Sequence, residues 1–233
     1  MQPLREQKRV AIVATVVLLA GVLLPLAAWL APHGQSPAAD PGGKSIDVQS
    51  LKKTAAPAMS IAAVPRACAE AMQRGSGDVG NKPDDLAELA SRDLALPVAG
   101  VRKDTLYDSF SDGRGKRKHE ALDIHAARDT PVLAVDDGCV VKLFKSAQGG
   151  FTLYQFDRGG RYAYYYAHLE RYADGMKEGI LLKRGDVIGY VGTSGNASPN
   201  APHLHFAIFR LGPEKKWWQG TPVNPFKVFS EQR

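Results

Sequence analysis

Cys139-Val-Val-Lys-Leu-Phe144 and Phe151-Thr-Leu-Tyr-Gln-Phe156 are two short alternating runs that lie on either side of Gly149-Gly150. Alternation with period two is typical of strands, whose successive side chains point to opposite faces of a sheet. A third run, Tyr162-Ala-Tyr-Tyr-Tyr166, follows through the glycine-rich turn Asp157-Arg-Gly-Gly160, and this arrangement predicts a hairpin. Short strands at such regular spacing predict an all-β, barrel-like sandwich.

Residues that bind metals cluster in the same half of the chain. Four of the six histidines lie in three short motifs, which are His119-Glu-Ala-Leu-Asp123, Ala167-His168-Leu169 and His203-Leu204-His205. Neutral imidazole is the commonest protein ligand for zinc, and a catalytic zinc keeps one position open beside three protein ligands. The motifs offer more donors than such a zinc needs, so the sequence predicts a site that both holds a metal and moves protons.

The spacing within these motifs fits strands. Side chains two apart on a strand share a face, so His203 and His205 point the same way. An extended chain from His119 to Asp123 also keeps those two side chains on one face. Two neighbouring strands would then present His119, Asp123 and His205 to one ion, with His203 beside them.

A helical alternative treats the first motif as a variant of the zincin helix, in which Glu120 would be the general base. Pro131 follows closely and cannot lie inside a helix, and the second zincin histidine is absent from the motif. The strand interpretation is therefore preferred, and Glu120 is interpreted as a solvated or substrate-facing acid.

On these motifs the chain resembles the lysostaphin-type (LytM) zinc endopeptidases, which cut peptide cross-links in bacterial peptidoglycan. The resemblance extends from about Leu96 to Leu211 and includes supporting turns at Thr130-Pro-Val, Asp137-Gly138, Lys183-Arg-Gly-Asp-Val-Ile-Gly189 and Gly192-Thr-Ser-Gly195. The chain departs from the family pattern at Ala121 and Asp129, where glycine is common, and these departures affect turn geometry rather than chemistry.

The resemblance implies a fold, a metal site and an activity. The fold would be the duplicated hybrid motif of the family. His119, Asp123 and His205 would bind zinc, while His168 and His203 would flank the reacting water. The expected reaction is hydrolysis of a peptidoglycan cross-link by a metal-activated water.

His125 and the two cysteines are left open by the sequence. His125 shares a strand face with Asp123, so it either lines the cleft or supports a ligand, or it is a half-exposed strand residue. Cys139 lies beside valines and is most simply a small buried apolar residue. An oxidising compartment would permit a disulfide between Cys68 and Cys139, but two cysteines do not specify one.

The N-terminal region predicts a membrane anchor. Residues 1–9 carry three basic side chains and one acidic side chain, and residues 10–31 contain no charged one. A helix of about 20 residues spans a bilayer, and the preceding positive charge predicts a cytoplasmic N-terminus. An uncleaved signal anchor in the cytoplasmic (inner) membrane is preferred to a cleaved signal peptide, and the domain is expected in the periplasm or outside the cell.

The remaining chain is predicted to contain a tether and one domain. Residues 32–93 are rich in Pro, Gly, Ser and Ala and are interpreted as a flexible tether with a weakly helical segment that Asp84 or Asp85 could cap. Residues 94–233 are predicted to form the catalytic domain, which opens with a strand at Leu94–Val101.

Charge and composition limit the partners. The formal charge is +6, and its densest run, Arg114 to Lys118, is either a cationic lip that attracts anionic cell-wall peptides or a solvated loop. Nucleic acid is not expected as a partner, because the anchor places the domain outside the cytoplasm. Other cell-wall enzymes are conceivable partners. Two alternatives to an enzyme stay open: a module that activates a separate cell-wall amidase, which would have lost metal ligands, and a glycan-binding scaffold without metal.

Overall fold

The computed structural model describes residues 64–75, 84–115 and 117–232, which fold mainly into strands. The helices are α1 (Arg66–Gly75), α2 (Asp85–Ala90) and α3 (Pro225–Glu231), with a short 3-10 helix at Lys103–Thr105. The strands are β1 (Gly113–Arg114), β2 (Arg117–Lys118), β3 (Leu122–His125), β4 (Pro131–Leu133), β5 (Gly138–Ser146), β6 (Gly150–Asp157), β7 (Tyr162–Tyr172), β8 (Leu181–Leu182), β9 (Val187–Val191), β10 (His203–Leu211) and β11 (Gly220–Val223). The prediction of a mainly β domain is confirmed, whereas barrel-like closure and the duplicated motif stay predictions.

Strand β10 pairs with three other strands of the antiparallel sheet, β3, β7 and β11. The main path of the sheet runs β11-β10-β7-β6-β5-β8, while β3 pairs with β10, and β9 joins β4 to β7. The predicted hairpin β6–β7 is formed, and β5 also pairs antiparallel with β6 across Gly149-Gly150. Since β10 pairs with both β3 and β7, residues from three separate parts of the sequence meet at its N-terminal end.

The alternation of β7 and β10 gives the sheet two different apolar faces. One face carries Tyr164, Tyr166 and Phe206, and it packs against Leu89 of α2 and Phe229 of α3. The other face is lined by the buried residues Tyr154, Tyr165, Ala167, Ala207 and Phe209, and it is covered in part by Cys68, Met72 and Trp217. Burial of large side chains on both faces accounts for the stability of the sheet.

The packed structure begins well before residue 94. Cys68 in α1 forms a disulfide with Cys139 in β5, which answers the question that the sequence left open. Leu89 in α2 is fully buried. The predicted cap of this helix is also present, because Asp84 Oδ1 accepts a hydrogen bond of 3.0 Å from Leu86 N.

The predicted strand at Leu94–Val101 is wrong. The segment runs beside β4 and is held there by hydrogen bonds from Ala95 N to Val135 O (2.8 Å) and from Leu133 N to Pro97 O (2.9 Å). Its pairing amounts to one isolated bridge between Val98 and Val132, not a strand. Pro97 has no backbone N–H to donate, so a regular ladder cannot continue through it.

Within the described part of the chain, no helix is long and apolar enough to cross a membrane. The predicted cytoplasmic tail at 1–9 and the predicted membrane span at 10–31 lie outside the described residues, as do residues 32–63 and 76–83 of the predicted tether.

Candidate metal centre

The pairing of β3 with β10 brings Asp123 and His205 together. They are direct Cα partners in the antiparallel register, and His205 is also the partner of Ala167 on β7. Asp123 Oδ1 lies 3.0 Å from His205 Nδ1. The structure therefore agrees with the strand interpretation for Asp123 and His205.

His119 reaches the same point by a different route from the one predicted. An extended chain from His119 to Asp123 was expected, but β3 begins only at Leu122, and Glu120 has a φ of 56°. This left-handed residue turns the chain just after the β1–β2 hairpin, which contains the basic run. No helix forms here, so the zincin alternative is excluded for these described residues.

Ser109 holds the two ends of this turn and was not found from the sequence. Its carbonyl oxygen accepts a hydrogen bond of 3.0 Å from His119 Nδ1, and its hydroxyl oxygen accepts one of 3.0 Å from Asp123 N. Because a carbonyl can only accept, the His119 ring carries its proton on Nδ1 and leaves the Nε2 lone pair facing the site when it is neutral. Only the contact across ten residues identifies Ser109, and no local motif marks it.

Three donor atoms form a nearly equilateral triangle. His119 Nε2 lies 3.0 Å from His205 Nδ1 and 3.1 Å from Asp123 Oδ1. The distance from His205 Nδ1 to Asp123 Oδ1 is also 3.0 Å. These three residues form a group that could hold a metal ion. Ligand atoms on one tetrahedral zinc, each bound at about 2.0–2.1 Å, lie about 3.3 Å apart. The observed spacing and the mixed nitrogen and oxygen donor set therefore fit zinc.

His168 and His203 complete the group without joining the triangle. The ring of His168 lies 4.9 Å from that of His203 and 5.7 Å from that of His205, measured between centroids. His203 Nε2 is 3.9 Å from Asp123 Oδ1. Both rings donate from Nδ1 to a backbone carbonyl, His168 to Ser194 O at 2.8 Å and His203 to Ala201 O at 2.9 Å. Their Nε2 atoms are therefore the ones left to accept or return a proton.

Burial and mutual contact shift the pKa values of this group. Burial alone would raise the pKa of the Asp123 carboxyl, but hydrogen bonds from His119 and His205 outweigh it and hold that pKa well below its usual value. Burial lowers the pKa of His168 to about 4, with a further contribution from the neighbouring His205. Burial also lowers the pKa of His205. Burial thus disfavours the charged form of His168 and His205, while Asp123 is favoured as the carboxylate. A neutral imidazole and an ionised carboxylate are the forms that can bind a cation.

His125 lies at the exposed end of this row of histidines. It is the cross-strand partner of His203, and the two ring centroids are 5.4 Å apart. His125 is exposed, whereas His119, His168 and His205 are buried. Its exposure and its contact with His203 agree with a residue that lines the cleft, one of the interpretations that the sequence left open.

The sequence profile of peptidase family M23 matches residues 117–225. This range includes the three residues of the triangle together with His168 and His203. This part of the chain is a peptidase family M23 domain. Peptidases of this family are zinc metalloproteases, in agreement with the donor set of the triangle.

Two curated relatives of the M23 domain are named as endopeptidases. The L-Ala–D-Glu endopeptidase of Bacillus subtilis is 33% identical over 139 residues, which cover 56% of this chain and 41% of that protein. A glycyl-glycine endopeptidase of Staphylococcus capitis is 31% identical over 101 residues, 43% of this chain and 27% of that protein. The chain therefore covers less than half the length of either relative.

Among solved structures, the M23 domain is similar to the catalytic domain of the antimicrobial peptidase lysostaphin from Staphylococcus simulans. The two are 24% identical with a TM-score of 0.43, over 63% of this chain and 98% of the other.

Proposed function

We propose that this protein is a zinc endopeptidase that hydrolyses peptide bonds in the cross-links of bacterial peptidoglycan. The triangle of His119 Nε2, Asp123 Oδ1 and His205 Nδ1 carries this proposal, because it presents a complete set of three ligands inside an M23 domain. When bound there, zinc supplies a Lewis acid that activates water and polarises the scissile carbonyl.

His168 and His203 are the proposed catalytic residues. With Nδ1 committed to a carbonyl, each ring has Nε2 free to take a proton from the attacking water and to return it to the departing amine. In its protonated form the same Nε2–H can donate to the developing oxyanion. The two rings lie side by side, so one can act on the water while the other acts on the carbonyl oxygen or the amine.

The substrate class rests on the relatives and on the sequence resemblance. Both named relatives carry the name of a peptide bond, L-Ala–D-Glu in one and glycyl-glycine in the other. The resemblance to lysostaphin-type enzymes adds peptidoglycan as the polymer that contains the bond. We also propose that residues 10–31 anchor the protein in the cytoplasmic membrane, with the M23 domain on the outer side, where this polymer lies.

A module that only activates a separate amidase is the second candidate, and it is disfavoured. Such a module is expected to lack metal ligands, whereas this M23 domain holds three donor atoms within 3.1 Å of each other.

The test is a digestion of cross-linked muropeptides by the zinc-loaded, detergent-purified full chain, with products identified by mass spectrometry. We expect new peptide termini, and we expect His203→Ala to lower the rate roughly a hundredfold at unchanged zinc content, as is typical of losing a positioned proton donor or acceptor. A zinc-loaded wild-type protein that cleaves no muropeptide would overturn the proposal and favour the activator.

A further inference from the structure

The loop between β9 and β10 lies directly on the turn between β5 and β6. Asn196 N donates to Gln148 O at 2.9 Å, and a Cβ on Gly195 would lie only 2.1 Å from the same oxygen. A Cβ on Gly150 would lie 2.0 Å from Ser194 Oγ. Only glycine at both positions allows this approach of backbone to backbone. Ser194 stands at the junction.

Ser194 makes three hydrogen bonds there. Its hydroxyl accepts from Phe151 N on β6 at 2.9 Å and donates to Leu169 O on β7 at 2.5 Å. Its own carbonyl oxygen accepts from His168 Nδ1 at 2.8 Å. One residue therefore fixes the two strands beside His168 and also the ring of His168.

His168 has a backbone conformation that needs such support. Its φ is +60° within β7, a left-handed value that is strained for a residue other than glycine. Strand alternation would place His168 on the face opposite Ala167. The irregular register at this point of β7 instead brings its ring beside those of His203 and His205. Besides Ser194, Gly149 O holds this conformation by accepting from His168 N at 2.8 Å.

We propose that Ser194 is a positioning residue for His168. Its hydroxyl, bound to Phe151 N and Leu169 O, fixes the loop and thereby the position of its own carbonyl. That carbonyl selects the Nδ1–H form of the His168 imidazole, so that Nε2 faces the metal centre. This inference rests on the proposed function for its kinetic consequence, but the contact itself can be tested without any activity.

The test combines two measurements on Ser194→Ala, which keeps the backbone carbonyl but removes the hydroxyl that fixes its position, and so leaves Phe151 N and Leu169 O without their partner. In the metal-free full chain, nitrogen-15 NMR of the histidine rings should show His168 in the Nδ1–H form in the wild type and a mixture of both neutral forms in the variant. In the zinc-loaded enzyme, kcat should fall roughly tenfold with KM and zinc content little changed, as is common when an outer-shell partner is lost.

Two controls separate positioning from general damage. Thr193→Ala alters the adjacent residue, whose hydroxyl accepts from Arg128 Nη2 at 2.7 Å, and it should leave both readouts unchanged. In a His168→Ala background, Ser194→Ala should cost no further activity, because its effect passes through His168.

An unchanged tautomer in Ser194→Ala, or an equal loss of kcat with and without His168, would overturn the inference. A wild-type enzyme without activity would refute the proposed function alone, and the NMR result would then decide the role of Ser194.

Discussion

Two polar clusters occupy opposite faces of the same sheet, and they differ in where their positive charge comes from. One is the metal centre, formed by His119, Asp123 and His205. The other, here called the Arg92 cluster, consists of Arg92, Glu88, Asp136 and Asp157. The Arg92 cluster contains its own cation, while the metal centre brings lone pairs together and relies on an ion from solution.

The charge of Arg92 is paired with carboxylates of the protein itself. Arg92 Nη1 lies 2.9 Å from Asp157 Oδ2 and 3.4 Å from Asp136 Oδ2, and the guanidinium also pairs with Glu88 of α2. Tyr164 donates to Asp136 at 2.9 Å. Burial acts to lower the pKa of Arg92, but the neighbouring Tyr164, Asp157 and Asp136 together raise it. The cluster therefore fixes α2 to the sheet under any condition in which these groups stay charged.

The metal centre has no comparable internal balance. Its three atoms lie as close together as hydrogen-bonded partners, yet His119 Nε2 and Asp123 Oδ1 are both acceptors when the imidazole is neutral. Such a set is stable only with a shared proton or a cation between its members. The comparison predicts that removing a group has opposite consequences in the two places: loss of function at the metal centre and loss of stability at the Arg92 cluster.

The largest expected effect is loss of the metal. His119→Ala or Asp123→Ala leaves two protein ligands, which rarely hold zinc firmly, so the zinc content should fall from about one per chain to nearly none under mild chelation. Elemental analysis after dialysis against a weak chelator measures this. Full zinc occupancy in both variants would show that the ligand assignment is wrong.

The next effect concerns the Arg92 cluster. Arg92→Met removes the cation that pairs with Asp157 at 2.9 Å, and Asp157 is only 2% exposed. Breaking a buried ion pair by removing one partner costs about 3–5 kcal/mol of unfolding free energy. Denaturant titration measures the loss, while zinc content at saturating zinc should not change.

Arg158→Met is the matched control for this prediction. It breaks an exposed ion pair of 2.7 Å with Asp137 and should cost at most about 1 kcal/mol. Equal costs for the two variants would contradict the distinction between a buried and a solvated pair.

The smallest effect is a pH dependence of the metal-free protein. The pKa of His168 is 6.5 when unperturbed and about 4 in the folded protein, because burial disfavours the charged ring. The unfolded chain therefore takes up the proton first, so the stability present above pH 6.5 should fall as the pH drops towards 4. A shift of this size corresponds to at most about 3 kcal/mol.

His168→Gln should remove part of this fall. Unfolding free energies in the presence of a chelator, compared at pH 8 and pH 5, measure the difference. The comparison at pH 8 is the internal control, because the wild-type imidazole is neutral there in both states. A variant whose stability falls as steeply as that of the wild type would contradict the burial argument.

The sequence predicted those parts of the site that depend on regular strands. Asp123, His203 and His205 follow from alternation, since a partner strand in antiparallel register brings their faces together. The route of His119 could not be predicted, because it depends on the left-handed conformation of Glu120, and no residue preference marks that position. Local sequence alone limited the helix cap to Asp84 or Asp85, and Asp84 is the residue that caps α2. The alternation around Pro97 predicted a strand, but Pro97 has no backbone N–H and interrupts the ladder that such a strand needs.

Contacts between residues far apart in the chain could not be predicted from the sequence. The backbone carbonyls of Ser109 and Ser194 accept hydrogen bonds from His119 and His168 across ten and 26 residues, and contacts at such distances leave no periodic pattern in the sequence. The bond between Cys68 and Cys139 likewise depends on where α1 packs, which the weak helical pattern of that segment did not show.

This disulfide also determines how the molecule would carry a mechanical load. Tension applied to the chain ahead of Cys68 would pass through the sulfur atoms into Cys139, leaving residues 69–138 without load. His119 and Asp123 lie within that unloaded loop. In the sheet, β6 and β7 separate β5 from β10, which carries His205. A pull on the upstream chain would therefore enter the sheet at β5, which two strands separate from the strand that carries His205.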